Sequence, residues 1–130
     1  MSTILLGILI NCLCNPIPTS EVLTIDELSP ILEVAGFTDE LLQEAIDVVI
    51  CESGLDYKTV DPNAIGDNGL AEGLFQIHFD TVSTAWKGWE DWLYTTHNWR
   101  GNRLDPYDNA RAAFLIYQRS GWNPWTCKPK

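Results

Sequence analysis

Ala45-Ile46-Asp47-Val48-Val49-Ile50-Cys51-Glu52-Ser53-Gly54 is the stretch on which the reading of this chain turns. Leu41, Leu42, Ala45, Ile46 and Val49 recur at three- and four-residue steps, the spacing of one apolar helix face. Glu52 follows Val49 by three residues and Ala45 by seven, so it falls on that same face. A carboxylate on an apolar stripe is out of place unless something uses it. Gly54 is the expected helix stop, which puts Glu52 in the last turn. There the negative end of the helix dipole and burial both disfavour the ionised form, so the pKa should rise. A carboxylic acid still protonated near neutral pH can act as a general acid. The competing reading is a surface Glu at a frayed helix end.

Towards the N-terminus, Thr38-Asp39-Glu40 is expected to cap this helix, with acids in its first turn. Before it, Thr24-Ile25-Asp26-Glu27 has the pattern of a capping box and predicts a short helix through Val34, ended by Gly36. Residues Ile4 to Leu13 are apolar but too few to span a bilayer. The run has signal-peptide length, yet no Lys or Arg precedes Lys58 and the first Ala is Ala35. The basic start and the small-residue cleavage site of an export signal are therefore both missing. Two readings stand side by side, a helix packed on the core and an export signal. Asn15 to Ser20, with Pro16 and Pro18, reads as a linker. The organisation expected is thus an N-terminal segment and linker over 1–20 and one domain over 21–130.

Towards the C-terminus, Asp56 to Asn63 reads as loop. Asn68-Gly69 suits the centre of a tight hairpin turn, and its flanks are poor strand formers, so a short, irregular β-hairpin is expected. Gly73-Leu74-Phe75-Gln76-Ile77-His78 is the next apolar stretch. Val82, Ala85, Trp86, Trp89 and Leu93 keep helical spacing, and Thr95 to Leu104 is polar loop holding Trp99 and Arg100. Asp105-Pro106-Tyr107-Asp108 is a helix start, with Asp as cap and Pro at the first position. Ala110, Ala113, Phe114 and Tyr117 mark that helix's apolar face, Gly121 its stop, and Trp122-Asn123-Pro124-Trp125 a rigid aromatic turn.

The net charge of −10 and the scatter of the eight Lys and Arg argue against a nucleic-acid partner and against docking on an anionic surface by charge. The six Trp can stack on sugar faces or fill a core. The four cysteines, Cys12, Cys14, Cys51 and Cys127, form no CxxC pair, and the two His lack ligand spacing, so no zinc site is expected. Pairing of Cys51 with Cys127 would tie the C-terminal tail to the Glu52 helix, but spacing leaves connectivity open.

In order, the chain shows Cys51-Glu52-Ser53-Gly54-Leu55, then Gly66-Asp67-Asn68-Gly69, then Glu72-Gly73-Leu74-Phe75-Gln76-Ile77. A further block runs from Asp105-Pro106 through Asn109, Ala113, Tyr117 and Gly121-Trp122 to Pro124-Trp125. Here the sequence resembles the lysozyme-like superfamily, most closely its soluble lytic transglycosylase branch, over about Thr38 to Trp125. The resemblance implies an α+β, predominantly α-helical fold with a small hairpin beside a cleft. It implies that the substrate is the peptidoglycan glycan strand and that Glu52 is the catalytic acid, in a secreted, periplasmic, wall-associated or phage-encoded monomer. It implies no metal and no organic cofactor. In lysozyme, such a carboxyl is kept protonated by an apolar pocket, and that is the state expected of Glu52.

The chain departs from animal-type lysozymes at one place. They carry a second carboxylate two residues before the Gly of Gly-x-x-Gln-Ile, where this chain has Ala71. A retaining glycosidase needs such a partner close to its acid. The soluble lytic transglycosylases do without it: one Glu protonates the leaving oxygen, then takes the proton of the sugar's own C6 hydroxyl. Ala71 therefore favours transglycosylation. Glu72 and Asp67 remain as carboxylates that could position a water. Ser53 is either a substrate contact or a plain helix-end Ser. Gln76 is either a cleft amide or a brace within the hairpin. Tyr117 is either core or the family's Tyr near the acid, and Trp122 and Trp125 are either sugar platforms or structure. His78 reads as a solvated loop His, and Asn109 as a hydrogen bonder at a helix start. The alternatives to a transglycosylase are a hydrolytic muramidase with a displaced second carboxylate, and a non-catalytic glycan-binding or structural wall or virion domain.

Overall fold

A computed structural model describes residues 22–78 and 89–130. The apolar N-terminal segment, Cys12, Cys14 and the Val82–Trp86 part of the helical pattern lie outside the described residues. Within them the fold is α+β and mainly helical. The order is β1 (Leu23–Thr24), α1 (Ile25–Ala35), α2 (Glu40–Ser53), β2 (Thr59–Val60), β3 (Ile65–Gly66), a single 3-10 turn (Asp67–Gly69), β4 (Ala71–Glu72), β5 (Ile77–His78), α3 (Trp89–His97) and α4 (Pro106–Ser120). β1 pairs antiparallel with β2, and β3, β4 and β5 form a small antiparallel sheet in that order.

α1 opens with the expected capping box. The Thr24 hydroxyl accepts the Glu27 N–H at 3.2 Å, and the Glu27 carboxylate accepts the Thr24 N–H at 2.9 Å. Gly36 ends it with φ of 125°, a conformation costly for any side chain. α4 likewise starts as expected, with the Asp105 carboxylate accepting the Asp108 N–H at 3.0 Å and Pro106 in the first turn. α2 differs. Asp39 stands at its N-cap position but has φ of 58° and makes no side-chain cap bond. In that left-handed backbone its carboxylate is not aimed along the helix start as an extended cap residue's would be. Gly54 ends α2 in an extended conformation (φ −69°, ψ 141°) rather than the left-handed one. The need for glycine there is steric, since a Cβ would run into the Ile50 carbonyl.

The hairpin is present, with two corrections. Four residues, not two, link β3 to β4, with Asp67, Asn68 and Gly69 all at positive φ. β5 then adds a third strand that the sequence pattern does not announce. α3 runs to His97, so Thr95 to His97 belong to helix and not to the polar loop. Trp99 is buried, and its indole donates to the Asp108 carbonyl at 3.1 Å.

The core centres on Phe37, stacked on Phe75 at 5.5 Å and on Trp122 at 5.7 Å, with Phe114 edge-on at 5.2 Å. Fully buried Trp125 closes it, donating from its indole to the Phe75 carbonyl at 2.9 Å. Trp125 is thus core and no sugar platform.

Asn109 is the polar hub that fixes the sheet to the helices. It is completely buried. Its amide oxygen accepts the Phe75 N–H at 2.9 Å, and its nitrogen donates to the Glu72 and Arg103 carbonyls at 2.9 and 3.0 Å. It bonds across the fold, well beyond the helix start where the sequence places its role. Gly73, at φ of 82°, lies so close that a Cβ would meet the Asn109 amide. Asn109→Leu would strand one N–H and two carbonyls inside the protein. Each such orphan costs about 1–3 kcal/mol, so unfolding free energy should drop by roughly 3–5 kcal/mol. Denaturant unfolding measures it, and a loss under about 1 kcal/mol would contradict the assigned role.

Candidate functional site

α2 delivers Glu52 to the edge of its apolar face. Ala45 and Val49, two turns and one turn before it, are fully buried, while Glu52 itself is half-buried. Ser53, next along, turns inward. Its hydroxyl donates to the Leu74 carbonyl at 2.8 Å, pinning the end of α2 to the turn before β5. Ser53 is buried and does not line the Glu52 cavity; it braces the frame beside it.

Glu52 opens onto a cavity of about 270 Å³ whose other walls come from Asp67, Ala71, Gln76, His78, Thr126 and Cys127. The acid sits on one side, the three-stranded sheet and its turn on another, and the C-terminal tail on the third. Burial pushes the Glu52 carboxyl above its ordinary range. The Cys127 N–H, hydrogen-bonded to the carboxylate, and the Lys128 charge pull the other way and are weaker than burial. The acid is thus held towards its protonated form beside an open space.

The tail is fastened beside Glu52 by a Cys51–Cys127 disulfide, with Cα atoms 5.9 Å apart. The Lys128 ammonium adds a clamp by donating to the Trp122 and Trp125 carbonyls. Both fasteners act on the segment that carries Thr126 and Cys127 into the cavity wall.

Gln76 shows both features between which the motif leaves a choice. It lines the cavity, and its side-chain nitrogen donates to the Ala64 and Gly73 carbonyls at 2.9 and 3.1 Å. Its own backbone is left-handed, φ 49°, so the two bonds hold a turn that the residue would not choose alone. His78 is buried rather than solvated, and its Nε2 lies 3.0 Å from an Asp67 carboxylate oxygen. His78 and Asp67 are the cavity residues that the sequence pattern undervalues. Only their pairing across the sheet brings them opposite Glu52.

Three residues with a place in the motifs lie off this cavity. Glu72 extends instead to Arg103, Oε2 to Nη1 3.5 Å, and Arg103 also holds Glu90 at 2.6 Å. Tyr117 packs on Trp122, ring centroids 4.7 Å apart, and on Phe37. Trp122 stacks in the core and donates from its indole to Glu44 at 2.8 Å. In this structure, then, Glu52 and Gln76 meet at the cavity, while Ser53, Glu72, Tyr117 and Trp122 support the frame around it. Among the described residues no group of three or more His, Cys, Asp or Glu could hold a metal ion. No helix among them is long and apolar enough to cross a membrane.

The raised pKa has a consequence for stability. Folding favours protonated Glu52, so its stabilising contribution is complete below the unfolded carboxyl value of 4.5 and is lost as pH rises through the higher folded value. Glu52→Gln removes that loss. The variant should melt above wild type at neutral pH, and the gap should close below pH 4.5. Melting curves across pH test this; a variant less stable than wild type at neutral pH would contradict it.

No protein-family model, curated protein or solved structure matches the chain.

Proposed function

We propose that the protein is a lytic transglycosylase that cleaves the MurNAc–GlcNAc β-1,4 bond of peptidoglycan, with Glu52 as its single acid and base. The observation that carries this reading is a half-buried Glu52, held towards its protonated form, at a cavity that Ala71 also lines. By the resemblance in sequence, Ala71 stands where the lysozymes carry their second carboxylate. Protonated Glu52 donates to the glycosidic oxygen as the bond to C1 breaks. The resulting carboxylate then accepts the proton of the C6 hydroxyl while that oxygen closes on C1. Glu52 ends protonated, no water is consumed, and the product is a 1,6-anhydro sugar. The Glu-Ser-Gly and Gly-Leu-Phe-Gln-Ile motifs support the choice of glycan.

One observation favours a hydrolytic muramidase as second reading: Asp67 lines the same cavity, although it is displaced in sequence from the lysozyme position. Its carboxylate, 3.0 Å from His78 Nε2, would serve as partner to Glu52 in that case. Digestion of purified peptidoglycan by Asp67→Asn decides between them. The transglycosylase reading predicts rates within about ten-fold of wild type. The muramidase reading predicts a loss of the order of 10²-fold or more, as for removal of a general base. Failure of wild type to release any muropeptide would overturn both.

A further inference from the structure

Two adjoining cavities lie on a different flank, between α3, the loop over 98–104 and α4. One, of about 450 Å³, is walled by His97, Arg100, Asp108 and Arg111 among others. The other, of about 550 Å³, is walled by Glu90, Asp91 and Tyr94, and the two share Trp99, Arg100 and Gly101. Neither shares a residue with the Glu52 cavity.

The charge in the first cavity runs against the rest of the molecule. In a chain of net charge −10 with eight Lys and Arg, two arginines and one of the two His meet here. Both guanidinium groups are held in place. Arg111 donates through Nη1 to the Ala35 carbonyl at 3.0 Å. Arg100 lies over the Tyr94 ring, 4.6 Å from its centroid, and donates to Asn98 Oδ1 at 2.8 Å and to the Tyr94 hydroxyl at 3.2 Å. Among the described residues neither forms an ion pair. The one acid in this cavity, Asp108, is engaged by the Asn102 N–H at 2.7 Å. Fixed guanidinium forks with donors to spare, in a concave space, suit a planar carboxylate. The second cavity, which Arg100 also walls, adds two acids to the surface. Glu90 is taken up by Arg103, which leaves the Asp91 carboxylate, on the same cavity wall, as a seat for an ammonium group on an aliphatic stem.

We propose that the adjoining cavities bind a short amphoteric peptide, its carboxylate received by Arg100 and Arg111 and its ammonium group by Asp91. Resting on the function proposed above, that peptide is the stem of peptidoglycan, which carries both groups, and the site would select peptide-bearing strands.

The test is an NMR titration of the full chain with the soluble stem peptide that an amidase releases from peptidoglycan. Saturable shifts at the Trp99 indole and Gly101 amide are expected, with affinity weakened at least ten-fold in Arg100→Gln and by amidation of the peptide's carboxylates. Arg100 sits in an exposed loop, so that variant should fold normally. Acetylation of the peptide amine and Asp91→Asn should each weaken binding less. Unchanged affinity in Arg100→Gln, shifts confined to the Glu52 cavity, or no binding would each overturn the site. So would tight binding of inorganic phosphate in place of the peptide. The two proposals fail separately: a chain that binds the peptide but cleaves no glycan keeps the site and loses the activity, and one that cleaves but binds no peptide does the reverse.

Discussion

Glu52→Gln should lose nearly all turnover on peptidoglycan while keeping its fold and its affinity for glycan. The substitution preserves shape and the acceptor for the Cys127 N–H but removes the transferable proton. General acid–base catalysis contributes typically 10²–10⁴-fold, and in the proposed reaction one group performs both proton transfers. A fall of about 10³-fold or more is therefore expected. The measurement is release of soluble muropeptides per unit time, with circular dichroism and glycan co-sedimentation as controls. Activity within a few-fold of wild type would remove Glu52 from the mechanism. The rise in stability of the same variant at neutral pH is its thermodynamic counterpart, since an acid kept at a half-buried site for chemistry is a cost to the fold.

Loss of the Cys51–Cys127 disulfide should have a large effect on stability. The bond joins residues 76 apart, and in the chain-entropy model a loop of that length is worth on the order of 4 kcal/mol. Cys127→Ser should lower the melting temperature by roughly 10–20 °C for a domain of this size. It should also reduce turnover at temperatures where the variant remains folded, because the bond holds Thr126 and Cys127 against the Glu52 cavity. Reductant should reproduce both effects in wild type and leave Cys51→Ser/Cys127→Ser unchanged. Non-reducing peptide mapping that finds two free thiols in oxidised protein would contradict the bond itself.

Local signals are legible in this sequence, and distant ones are not. The capping box at Thr24–Glu27, the Asp105-Pro106 helix start, the stops at Gly36, Gly54 and Gly121 and the half-buried position of Glu52 all follow from short-range spacing. Asp39 misleads because cap chemistry depends on a backbone angle that residue type does not reveal. β5 is two residues long, too short to display a strand's alternation. Asn109 reads as local, yet its partners lie up to 37 residues away. The same holds for Ser53 with Leu74 and for Trp122 with Glu44. At the site, Glu52, Ala71 and Gln76 are recognisable from the motifs. Asp67 is named by its motif, but its pairing with His78 is not legible, because the two meet only when β5 folds back beside β4. The tail's part in the cavity depends on one disulfide among the pairings that four cysteines allow.

The central claim is that Glu52 needs no second carboxylate, because the substrate supplies its own nucleophile. Mass spectrometry of the sugar ends released from purified peptidoglycan tests it most directly. The main muropeptides should end in 1,6-anhydro-MurNAc, each lighter than its reducing counterpart by one water, and Asp67→Asn should yield the same ends. Ordinary reducing ends from wild type, lost together with activity in Asp67→Asn, would contradict the claim and assign Asp67 as the second carboxylate of a hydrolase.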